Sequence, residues 1–186
     1  DATPIHNGVV LVQGDRITAV GSRATVRLPA GAEVIDARGL TVLPAFWNSH
    51  VHFIEPKWTG IDTADVARAD SMLREMFTRF GFAHVFDISS FPEVTLALRR
   101  RIRDGQILGP DILTTLMGFV PPDGTPRYVP FTMPELADAA DARDSVPARM
   151  AIGADGTKLF TVPITRKKPF PVMALDVARV ATEQTN

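Results

Sequence analysis

Phe46-Trp47-Asn48-Ser49-His50-Val51-His52 reads as a β-strand that opens on two aromatic rings and closes on two histidines. In a strand, residues i and i+2 point to the same face, so both imidazoles project together. On a helix the same spacing would splay them apart. Two neutral imidazoles side by side can share a divalent cation such as zinc. Asn48 lies on the same face one step deeper, where it could hold an imidazole or a solvent ligand in place. For the triplet alone the alternative is two unrelated strand histidines, one buried and one at the rim.

On either side of this strand the pattern differs. Upstream, Gly8-Val9-Val10-Leu11-Val12-Gln13 and Arg16-Ile17-Thr18-Ala19-Val20-Gly21 read as strands joined by a Gly14-Asp15 turn, and residues 33–36 and 40–43 as two more. Pro44 closes this small β module, because proline cannot donate to a sheet ladder. Downstream, strands alternate with helices, which is the signature of βα units around a parallel sheet. Residues 63–80 carry apolar side chains at spacings of three and four, with Asp62 or Thr63 to cap the start and Gly81 to stop the helix. Strands are expected at 82–88, 111–116 and 157–162, and helices from Pro92 to Gly105, from about Pro134, and over 173–184. The division is therefore a partial β-sandwich module over residues 1–44 and four βα units over 45–186. Four such units make half of an eightfold barrel and cannot close one. In βα barrels functional side chains sit at the C-terminal ends of strands, which is where His50 and His52 fall.

The stretch Ala32-Glu33-Val34-Ile35-Asp36-Ala37-Arg38-Gly39-Leu40-Thr41-Val42-Leu43-Pro44-Ala45-Phe46-Trp47-Asn48-Ser49-His50-Val51-His52-Phe53, with residues 8–21 before it, resembles the opening of amidohydrolase-superfamily enzymes. That superfamily usually shows Pro-Gly, two variable residues, Asp, one residue, then His-x-His; here Ala45 replaces the glycine and Asn48 the aspartate. Gly81-Phe82-Ala83-His84-Val85-Phe86-Asp87 and Asp104-Gly105-Gln106-Ile107-Leu108-Gly109-Pro110-Asp111-Ile112-Leu113 bring the resemblance closest to the imidazolonepropionase-like and Xaa-Pro-dipeptidase-like subgroup. The resemblance implies an α/β fold, the first half of a TIM-like (β/α)8 barrel. It also implies hydrolysis of carbon–nitrogen bonds in an amide, cyclic amide or dipeptide-like substrate by water activated on one or two divalent ions, zinc above all. His50 and His52 would hold the first ion. Lys158, in Gly156-Thr157-Lys158-Leu159-Phe160, matches the family lysine that ends the fourth barrel strand; as a carbamate it would bridge to the second ion. The alternative for Lys158 is an ordinary solvated lysine. The family's remaining histidines and its general base belong to later strands.

Other side chains support two readings each. Asp87 ends a strand, so it either stands behind the metal ligands or caps the following loop. Tyr128 and Arg127 are the strongest binding side chains of the loop 118–128, which either reaches over a substrate or is merely structural. His84 sits mid-strand and is expected to be a hydrogen-bonded core or interface histidine. Arg99, Arg100, Arg101 and Arg103 fall in the last turns of a helix, where cations complement the dipole, and read as a solvated face.

Composition sets outer limits. A net charge of −1 provides no overall field to attract nucleic acid or an anionic membrane, and no apolar run approaches the ~20 residues of a membrane helix. With no cysteine, disulfides and thiolate metal sites are ruled out. There is no initiator Met, so a processed or truncated N-terminus is expected, and the compartment cannot be read. The open half-barrel leads us to expect a C-terminal continuation, a complementary chain or a homo-oligomer as partner, beside a small-molecule substrate. The rival expectation is a truncated or degenerate relative, inactive alone and acting only within an assembly.

Overall fold

The computed structural model of the chain describes residues 3–186. Two compact units are present, one ending at Leu43 and one spanning Pro44–Asn186.

The first unit is built on an antiparallel hairpin of β1 (Gly8–Gln13) and β2 (Arg16–Ser22), with a bulge between Leu11 and Val12. Its turn uses Gly14 at φ 61°, a left-handed conformation that glycine enters without a Cβ penalty. Strands were expected at 33–36 and 40–43, and neither forms. Val34, Ile35 and Leu40 are exposed, and the Asp36 carboxylate turns back to accept the backbone and guanidinium N–H groups of Arg38. An extended segment with no neighbouring ladder leaves its backbone polar groups to water and to such local turns.

The second unit holds a parallel sheet ordered β3-β4-β5, made of β3 (Phe46–Val51), β4 (Phe82–Asp87) and β5 (Asp111–Thr114). Two helices make the crossovers, α1 (Val66–Met76) and α2 (Pro92–Arg103). Helix α1 starts later than the apolar spacing suggests, because the Asp65 carboxylate accepts from the Arg68 N–H and serves as the cap in place of Asp62 or Thr63. A 3-10 turn over Thr78–Phe80 follows, and Gly81 ends it at φ 82°. Pro92 opens α2 at a position whose N–H would have no helical partner. Between sheet and helices lies a core of Phe53, Trp58, Phe77, Leu73, Val85, Leu98 and Ile112. Phe53 stacks edge-on against Trp58 at 5.1 Å and against Phe77 at 5.9 Å.

Beyond β5 the regular alternation lapses. The strand expected at 157–162 reduces to one parallel bridge, Leu159 with Phe119, in which the Phe119 N–H donates to Lys158 and the Phe160 N–H to Phe119. The reason lies in β5's own continuation: Leu116 takes φ 54° and diverts the chain, while the Thr114 N–H turns to the Asp155 carboxylate at 2.9 Å. The helix expected from Pro134 also begins later. Glu135 bridges Val120, and α3 (Ala139–Ala151) starts only where Asp138 accepts from the Ala140 and Asp141 N–H groups. Helix α4 (Leu175–Thr185) packs on α3 through Val177, Val180 and Ala181 against Ala142 and Val146. Among the described residues no helix is long and apolar enough to cross a membrane.

Candidate metal centre

His50 and His52 stand at the C-terminal end of β3, with ring centroids 5.2 Å apart and ring planes at 81°. The His52 Nδ1 lies 3.0 Å from the Ser89 carbonyl oxygen. A carbonyl only accepts, so Nδ1 is the donor, and the lone pair of the neutral ring sits on Nε2. Ser89 is held at φ 144°, a conformation rarely adopted by a side-chain-bearing residue, and this turn aims its carbonyl at the ring. The His50 pKa lies below the ordinary histidine range, first through partial desolvation and then through the neighbouring His52 and Lys158 side chains, which disfavour a further charge. The neutral form that a metal requires is thereby favoured.

Lys158 is half-buried, with its Nζ 5.1 Å from the centre of the Phe160 ring. Its backbone is tied to Phe119 and its side-chain stem lies over Gly118. Asp155, three residues earlier, is held by Arg99 at 2.5 Å and by the Thr114 N–H. Among the described residues, no three His, Asp or Glu side chains are grouped so that they could hold a metal ion.

The remaining expected residues fall as follows. Asn48 makes no hydrogen bond to an imidazole; its Oδ1 accepts the backbone N–H of His50 at 3.2 Å, beside the register irregularity between β3 and β4. Asp87 is fully buried and accepts the hydroxyls of Ser90, Thr95 and Thr114. Burial pushes its pKa above the ordinary carboxylate range, and those hydroxyls pull it back. Arg127 lines a cleft of about 630 Å³ together with Arg166, Lys167 and Asp123, whereas Tyr128 is 73% exposed and does not line it. His84 differs from expectation: its Nδ1 is buried without a hydrogen-bond partner, and its ring stacks on Trp47 at 4.7 Å. The solvated reading of the arginine run also fails for two members. Arg101 is buried and donates to the Ile61 carbonyl, and Arg99 grips Asp155 and the Gly153 carbonyl. Ser89, Ser90 and Thr114 were not among the expected site residues; the two hydroxyls that follow the strand-ending Asp87 after Ile88 were the available signal.

No protein-family model matches the chain. A dihydroorotase of Lactococcus lactis subsp. lactis (strain IL1403) is 37% identical over 86 residues, which are 46% of this chain and 19% of the relative. An allantoinase of Solibacter usitatus (strain Ellin6076) is 40% identical over 63 residues, 32% of this chain and 13% of the relative. In these stretches the chain is similar to enzymes of the amidohydrolase superfamily. The solved structure of a molinate hydrolase shares the fold at a TM-score of 0.75 and 18% identity, covering 99% of this chain and 48% of that one. The chain thus spans about half the length of the structure it matches, and less of the two relatives.

Proposed function

We propose that the protein is a metal-dependent hydrolase of carbon–nitrogen bonds, acting on an amide, a cyclic amide or a dipeptide-like small molecule. The observation that carries this reading is the His52 ring. Its Nδ1 is committed to the Ser89 carbonyl, which leaves Nε2 as the donor atom of a ring whose centre lies 5.2 Å from that of His50 at a strand end. That is the chemistry of a donor pair for a divalent cation, zinc being the best match to two imidazoles. One or two such ions, when bound, lower the pKa of water toward ~7 and polarise a scissile carbonyl.

The chain's own residues would do the rest. His50 and His52 hold the first ion and stay neutral to do so. Lys158 becomes an anionic ligand by reaction with carbon dioxide: its unprotonated Nζ forms an N–C bond, one N–H proton leaves to solvent, and a carbamate with two oxygens results. In this reading the strands lie in a (β/α)8 barrel, completed by a continuation or complementary chain that covers the outer strands β3 and β5. Arg127, with Arg166 and Lys167 along the same cleft, would meet an acidic part of the substrate.

The test is metal content. Replacing His50 and His52 together with alanine should remove bound zinc measured by elemental analysis, and Lys158→Ala should abolish any gain produced by bicarbonate. A folded double variant with unchanged zinc would end the proposal.

A further inference from the structure

We propose that Asp87 is a positioning residue that holds the element bearing His52 and the element bearing Lys158 in fixed register. The inference rests on the reading of these two side chains as ligands, and deepens it. The Asp87 side chain is 0% exposed, and both of its oxygens are engaged. Oδ1 accepts the Ser90 hydroxyl at 2.5 Å, and the Ser90 oxygen in turn accepts the backbone N–H of Phe53 at 2.7 Å. Phe53 is the residue after His52, so the histidine's own backbone hangs from this branch. The same short turn presents the Ser89 carbonyl to the His52 ring.

Oδ2 serves the other element. It accepts the Thr114 hydroxyl at 2.9 Å, and the Thr114 oxygen accepts the N–H of Leu116 at 2.8 Å. The Thr114 backbone N–H donates to Asp155 Oδ2, and its carbonyl accepts the Asp155 N–H at 2.7 Å. Asp155 lies three residues before Lys158, and Arg99 clamps it from α2. The third donor, Thr95 at 2.7 Å, belongs to α2 and makes no hydrogen bond of its own to the His52 turn or to Asp155.

A carboxylate is required here for a specific reason. The oxygens of Ser90 and Thr114 already receive backbone N–H groups, so their O–H protons need an acceptor. An ionised carboxylate is acceptor-only and takes all three hydroxyls, whereas an asparagine would bring an NH₂ that can only donate.

The experiment compares Asp87→Asn, Ser90→Ala, Thr114→Val, Thr114→Ser and Thr95→Val in the full chain. Cobalt(II) and zinc(II) affinity are read by competition with a chromogenic chelator, the His52 ring by long-range ¹H–¹⁵N spectra, and stability by urea unfolding. Asp87→Asn, Ser90→Ala and Thr114→Val should weaken divalent binding on the order of 10- to 100-fold, as loss of a partner behind a ligand does. Asp87→Asn and Ser90→Ala should also shift or broaden the His52 ring signals. Thr114→Ser, which keeps the hydroxyl, should restore affinity, and Thr95→Val should lose stability alone. Wild-type affinity and ring signals in Ser90→Ala, the mildest change, would overturn the proposal, as would equal losses in Thr95→Val. If the wild-type chain binds no divalent ion, the hydrolase reading fails separately. The His52 signals then decide: altered by Ser90→Ala they support the hub, and unaltered they overturn it.

Discussion

Gly118 gives direct access to Lys158 without touching it chemically. A Cβ built on Gly118 would stand 2.9 Å from Phe160 Cε2, 3.0 Å from Lys158 Cγ and 3.3 Å from Lys158 Cβ. Carbon atoms pack at about 3.5–4.0 Å, so two of these contacts are short by roughly half an ångström. Gly118→Ala must therefore push the Lys158 stem and the Phe160 ring aside. Overpacking of this kind costs about 1–3 kcal/mol, and a flexible lysine stem places the expected loss near the lower end. Gly156 is the matched control, also buried and two residues before Lys158. Its added Cβ would meet Phe86 Cζ at 3.4 Å and Thr115 Cγ2 at 4.0 Å, which are ordinary contacts. Gly156→Ala should then be neutral or stabilising by about 0.4–1 kcal/mol through the unfolded chain. Equilibrium urea unfolding measures both, and zinc content after dialysis with bicarbonate measures the consequence for Lys158. Gly118→Ala should lose zinc and Gly156→Ala should keep it. Equal stability and equal zinc in the two variants would refute the placement of Lys158 over Gly118.

Two further outcomes follow from the packing and the caps. Phe53→Ala should destabilise by about 3–5 kcal/mol in urea unfolding, while Phe53→Leu should stay below about 1.5 kcal/mol, because the site is closed around an aromatic volume. The Asp138 carboxyl is held below the ordinary carboxylate range by the N–H groups of Asp141 and Ala140. With a folded pKa below the unfolded one, its contribution is present above the unfolded value and is lost as pH falls through the folded one. Thermal melts should accordingly show Asp138→Ala less stable than wild type at neutral pH, with the gap closing in acid.

The parts of the fold that were legible are those where side-chain pattern and backbone need coincide. β3, β4 and β5 each carry short apolar runs bounded by Gly or Pro, and α1 and α2 keep helical spacing of Ala69, Leu73, Ala97 and Leu98 toward the core. Residues 157–162 have an equally good strand pattern and fail to extend the sheet, because the detour at Leu116 removes the partner ladder. Nothing in the order of residues announces a positive φ at a leucine. The histidine pair was legible because a spacing of two in a strand is geometric. What orients His52 was not, since the acceptor is a backbone carbonyl brought in by the turn at Ser89. Arg99 and Arg101 were misread for a related reason. Helix-end position suggested solvent, but a carboxylate and a carbonyl distant in sequence claim their guanidinium groups.

The lapse of the ladder after β5 has a dynamic consequence. The Lys158 segment is tied to the strands before it by the two backbone bonds with Phe119 and the reciprocal Asp155–Thr114 pair, in place of a continuous ladder. Regions held by few backbone bonds open at a fraction of the global unfolding free energy and exchange their amide protons early. The amide protons of the Lys158 stretch should accordingly exchange earlier than those of β3, β4 and β5 in native-state hydrogen exchange.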